Sequence, residues 1–68
     1  MRYAVIIEKA NDNYSAYVPD LPGCVVTGPT MEAIRKDIQV AIRFHIDGLK
    51  AGGLPVPIPT TIAKYVEA

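Results

Sequence analysis

A chain of 68 residues, half of them hydrophobic, has room for one domain and for no second functional module. Its single Cys rules out an intrachain disulfide, and with one His there is no cluster to hold a structural metal, so self-association or a partner is the remaining way to complete a small core. Seven Lys and Arg balance seven Asp and Glu, which argues against gripping nucleic acid, because phosphate binding needs a surplus of basic side chains on one face.

Residues 2–8 (RYAVIIE) are dense in β-branched and aromatic types and too short to favour a helix, so they predict a first strand. Asn11, Asp12 and Asn13 supply turn conformations, and residues 14–18 (YSAYV) resume a strand pattern, giving an antiparallel hairpin. Tyr14, Ala16 and Val18 fall on one face and Ser15 and Tyr17 on the other, the alternation of a sheet covered on one side. Pro19 to Gly23 make a second turn, with Gly23 free to take positive φ, and residues 24–27 (CVVT) follow as strand three.

Gly28, Pro29 and Thr30 mark a change of period. Thr30 is an N-cap candidate, and no Pro occurs from Met31 to Lys50. Met31, Ile34, Ile38, Ala41, Ile42, His45 and Leu49 form one continuous stripe, which predicts a helix of about five turns ended by Gly52 and Gly53. Val40, Phe44 and Ile46 lie off that stripe or at its edge, a second apolar area beyond what one sheet needs. Alternate prolines at 55, 57 and 59 enforce an extended segment, and residues 60–66 (TTIAKYV) predict a last strand. The expected fold class is α+β in the order β-β-β-α-β, a small mixed sheet with one long helix packed on one face. No apolar run approaches the ~18 residues of a membrane span, and Glu8, Lys9 and Asp12 interrupt any leader pattern, so a soluble, cytoplasmic protein is expected.

The run Pro19-Asp20-Leu21-Pro22-Gly23-Cys24, followed by Gly28, Thr30 and a helix opening, resembles the HicB antitoxin family, and the likeness covers essentially the whole chain. The resemblance implies a partial ribonuclease-H-like fold without ribonuclease H chemistry or cofactor. It also implies a homo-oligomer that binds and blocks a HicA-type mRNA-cleaving toxin. Longer members add a C-terminal DNA-binding domain; with the chain ending at Ala68, one domain over residues 1–68 and no DNA binding are expected. Two positions depart from the family pattern. Pro29 replaces a usual acidic residue, and Ala33 replaces a frequent Glu, which removes the reciprocal half of a capping box while Glu32 still complements the helix dipole.

Candidate sites follow from residue chemistry. Metal-dependent cleavage needs converging carboxylates, and Glu8, Asp12, Asp20, Glu32, Asp37, Asp47 and Glu67 are spread over turns, helix and terminus with nothing to force a pair together. A degenerate ribonuclease-H-like metal nuclease is therefore the minor alternative, beside an orphan homo-oligomeric binding protein. His45 reads as a packed, hydrogen-bonded side chain and Cys24 as a buried, inert thiol, so no catalytic or metal-ligating residue is nominated. Pro19, Asp20, Leu21, Pro22, Gly23, Cys24, Gly28 and Thr30 read as architecture, with Asp20 capping its own turn. HicA-like toxins are expected to be basic, so Glu8, Asp12 and Asp20 are the expected toxin contact. Val40, Phe44 and Ile46 are the expected oligomer interface, unless residues 54–58 fold back over that side.

Overall fold

The computed structural model describes all residues from Met1 to Ala68. Three short strands, β1 (Ile6–Lys9), β2 (Tyr14–Tyr17) and β3 (Val25–Gly28), form an antiparallel meander in the order β1-β2-β3, and one helix, α1 (Met31–Ala51), packs across it. The register pairs Ile7 with Ala16 and Ala16 with Val26, so these three side chains share the face that meets the helix. The helix lies against β2 and β3 and leaves β1 without a helical neighbour.

Both ends of the helix are set by local chemistry. Thr30 holds an extended backbone, and its Oγ1 accepts from the Ala33 N–H at 3.1 Å, satisfying one of the free donors of the first turn. At the other end Gly53 takes φ +69°, and the N–H groups of Gly53 and Leu54 donate to the carbonyls of Lys50 and Leu49, the paired bonds of a Schellman cap. The stripe is met where it faces the sheet. Ile34 and Ile38 are buried, and Ala41, Ile42, His45 and Leu49 are half-buried, while Met31 in the first turn is exposed. Gly28 ends β3 beneath Ile34, whose Cδ1 lies 3.5 Å from where a Cβ would stand.

Only six residues are buried: Ala16, Val18, Leu21, Cys24, Ile34 and Ile38. The chain exposes 5454 Å², against roughly 4,200 Å² for a compact folded chain of its mass. Its radius of gyration is 13.0 Å, where about 11 Å is usual at this length. The segment after the helix contributes to both, since most of residues 54–68 are exposed.

Residues 54–68 form no helix and no strand. The strand expected over residues 60–66 is absent, and the sheet is accordingly antiparallel throughout and not mixed. A strand pattern becomes a strand only where an open edge runs beside it, and this segment is led across the strand ends instead. The Tyr3 hydroxyl donates to the Pro57 carbonyl at 2.6 Å, and Asp20 holds Thr60 and Thr61. Tyr3 precedes the pair Ile6–Tyr17 by three residues and Asp20 follows it by three, so both anchors lie at the same end of the hairpin. The first strand is also shorter than residues 2–8, because β2 gives way to the Pro19 turn and residues 2–5 have no partner to pair with.

Leu21 is the most consequential core residue outside the regular elements, since it fills the core from within a turn. Leu21→Ala is expected to cost about 3 kcal/mol, most of the ~3–5 kcal/mol that a single core of this size supplies. That leaves the variant about 0–2 kcal/mol, so its urea midpoint should fall by more than half, whereas Val25→Ala, at an exposed position, should stay within about 1 kcal/mol of the parent.

Candidate binding surface and tail clamp

The Pro19 to Cys24 run is two β-turns sharing Leu21. In the first, Pro19 supplies the fixed φ and the Leu21 N–H donates to the Val18 carbonyl at 3.0 Å. In the second, Pro22 and Gly23, with φ +85°, make the type II pattern, closed by the Cys24 N–H on the Leu21 carbonyl at 3.0 Å. Val18 then donates to the Cys24 carbonyl at 3.2 Å, which ties the double turn to the strands it joins. Leu21 is driven fully into the core, and Asp20 beside it is turned outward.

Asp20 does not cap its own turn as expected. Its Oδ2 accepts from the Thr60 and Thr61 N–H groups, both at 3.0 Å, and its Oδ1 accepts from their hydroxyls at 3.1 and 2.7 Å. Four donors on one carboxylate form a clamp across 40 residues of sequence. These bonds hold the Asp20 carboxyl below its usual range, the Thr61 N–H contributing most, followed by the Thr61 hydroxyl. Beyond the clamp the chain runs on with Ile62, Tyr65 and Val66 exposed.

The expected toxin contacts do not gather in one place. Glu8 opens the exposed half of β1, which leads into the turn that carries Asp12, and both are exposed. Asp20 sits at the opposite end of the hairpin and is committed to the tail. On the outer side of the helix, Val40 and Phe44 are exposed at 69% and 79% and line a groove of about 360 Å³ with Gln39, Arg43 and Asp47. The tail does not cover them. Ile46 is half-buried and packs against the core on the β1 side of the helix. Thr60 and Thr61 anchor the tail to Asp20, which strand periodicity could not reveal, although two adjacent hydroxyls after a proline run were the available signal.

The remaining chemistry is sparse. Cys24 is a free, buried thiol, and burial pushes its pKa up, away from thiolate reactivity. His45 is half-buried and makes no hydrogen bond within the chain. No three His, Cys, Asp or Glu side chains converge on a point where a metal ion could sit. No helix is long and apolar enough to cross a membrane.

The clamp has a definite pH dependence. A carboxyl held below its ordinary 3.8 contributes at neutral pH, and that contribution fades as pH falls through the depressed value. In NMR titrations the Thr60 and Thr61 amide signals should shift together, with a midpoint below 3.8, as the tail is released. Asp20→Asn should show the released positions at every pH, with the strand and helix signals unchanged.

Comparison with known proteins gives this geometry a family. An uncharacterized 14.9 kDa protein from the rep-hol intergenic region of Haemophilus phage HP1 is 38% identical over 97% of this chain and 50% of the phage protein, so the chain spans about half the length of that relative. A UPF0150 protein of Helicobacter pylori is 39% identical over 72% of this chain and 68% of its own length. Another, from Archaeoglobus fulgidus, is 31% identical over 69% and 70%. No solved structure matches the chain. The family model described as the HicB-like antitoxin of bacterial toxin-antitoxin systems matches residues 3–68, from the tyrosine that holds Pro57, through the double turn and its clamp, to the last residue. The chain belongs to the HicB-like antitoxin family.

Proposed function

We propose that the protein is the antitoxin of a toxin-antitoxin pair, acting in the cytoplasm as a homo-oligomer that occludes a HicA-type mRNA-cleaving toxin without chemistry of its own. The observation that carries this is the family match across residues 3–68. A surface far larger than a compact chain of this mass needs is consistent with a protein that works by covering another. A ribonuclease presents basic side chains to its substrate, and an inhibitor of it gains encounter rate and orientation from exposed acids. Glu8 and Asp12, on one end of the hairpin, are the acids free for that contact. Asp20 belongs to the same role indirectly, as the residue that fixes where the tail lies. Val40 and Phe44, with Ile46 on the adjoining side of the helix, supply the apolar contact between copies.

Coexpression with the small protein encoded beside this chain tests the proposal. The two should copurify, and growth arrest caused by the neighbour alone should be relieved. If the neighbour neither copurifies nor is detoxified, the antitoxin assignment is wrong. Within a formed complex, Glu8→Lys combined with Asp12→Lys should weaken binding at least tenfold, mainly by slowing association, and should remove most of its salt dependence.

A further inference from the structure

Because the helix packs on β2 and β3 alone, a groove of about 400 Å³ lies between it and the stretch that leads into β1. Tyr3, Ile42 and Ile46 make its apolar lining, with Asp47 and Lys50 among its polar residues. β1 pairs only with β2, so the other row of its N–H and C=O groups is open. The groove is half apolar and half polar and opens beside Met1 and Tyr3, on the stretch that runs into β1. An open strand edge that continues into such a groove is where a further strand adds.

The same chain carries a strand-patterned segment with nothing to pair with. No backbone group of residues 62–68 is hydrogen-bonded within the chain, and Ile62, Tyr65 and Val66 are exposed. Unlike the segment before it, with Pro55, Pro57 and Pro59, this one has no proline and offers an N–H at every residue. Its own groove is closed to it, because Tyr3 and Asp20 lead residues 57–61 across the strand ends and away from the β1 edge.

We propose that residues 62–66 of one copy lie along the open side of β1 in the groove of a second copy, and that the exchange is mutual, closing a two-fold dimer. The area fits. Each chain exposes roughly 1,200 Å² more than a compact chain of its mass, enough for the ~800 Å² that each partner buries in a standard interface. The reach fits too, since five extended residues span about 17 Å and cover a four-residue strand. Mutual exchange uses the same two surfaces on both copies, as a closed two-fold interface requires. The groove shares Gln39, Arg43 and Asp47 with the Val40 and Phe44 groove, so the exchanged tail and that apolar face form one continuous surface.

This mode of exchange rests on the association between copies proposed above and specifies it. It is tested on the purified chain alone, apart from any toxin. Analytical ultracentrifugation should give a dimer. In an equimolar mixture of carbon-13-labelled and unlabelled chains, isotope-filtered spectra should connect the Ile62 and Val66 methyls of one copy with Tyr3 and Ile46 of the other. Ile62→Asp, at a position exposed in the single chain, should keep its circular dichroism spectrum and sediment as a monomer. A parent chain that stays monomeric at millimolar concentration overturns both the exchange and the association. A dimer whose interchain signals come from Val40 and Phe44 and not from the tail overturns the exchange alone, as does an Ile62→Asp variant that remains dimeric.

Discussion

Four donors from Thr60 and Thr61 converge on the Asp20 carboxylate, and the course of the last stretch of the chain depends on that convergence. The turn that carries Asp20 has two outputs. Pro19, Pro22 and the positive φ of Gly23 fix the backbone so that Leu21 must enter the core, and the neighbouring side chain must then leave it. Core packing and tail position are therefore two sides of one rigid double turn. Leu21 on the inner side of the turn serves the fold, while the Asp20 carboxylate on its outer side contacts only the tail.

The second constraint is size. Six buried residues give a thin core, and no disulfide or metal cluster supplements it. What the chain has in excess is surface, distributed over the outer helix face, the open β1 edge and the tail. A protein of this build gains stability by being covered, which is a physical reason for such a chain to function by binding. The absence of buried unsatisfied polar side-chain atoms is consistent with this, since the polar groups left open face solvent and are available for pairing.

The meander and helix were legible because their signals are local. Alternation in YSAYV, the stripe from Ile34 to Leu49, the Thr30 cap and the Gly53 stop each depend on neighbours within a few residues. The double turn was legible as a turn, but Leu21 as a core residue was not, because turn chemistry describes backbone and says nothing of where a side chain goes. The Asp20 clamp escaped for a different reason: its partners lie 40 residues away, and a carboxylate in a turn has a nearer and equally good use as its own cap. The missing fourth strand has the same origin. Residues 60–66 have the composition of a strand, and composition does not say whether an edge lies alongside. Val40 and Phe44 stand exposed as their spacing indicates, whereas Ile46, two positions on, turns toward the core on the β1 side.

The family turn, through Asp20, holds the tail at Thr60 and Thr61 and leaves residues 62–68 free to meet a partner. Amide hydrogen exchange of the full chain, followed residue by residue at neutral pH, tests this most directly. Slowed exchange is expected at Thr60 and Thr61, alongside free-chain rates at residues 62–68 under dilute conditions, where the tail has no second copy to join. Free-chain exchange at Thr60 and Thr61, with the helix and strands still protected, would contradict it.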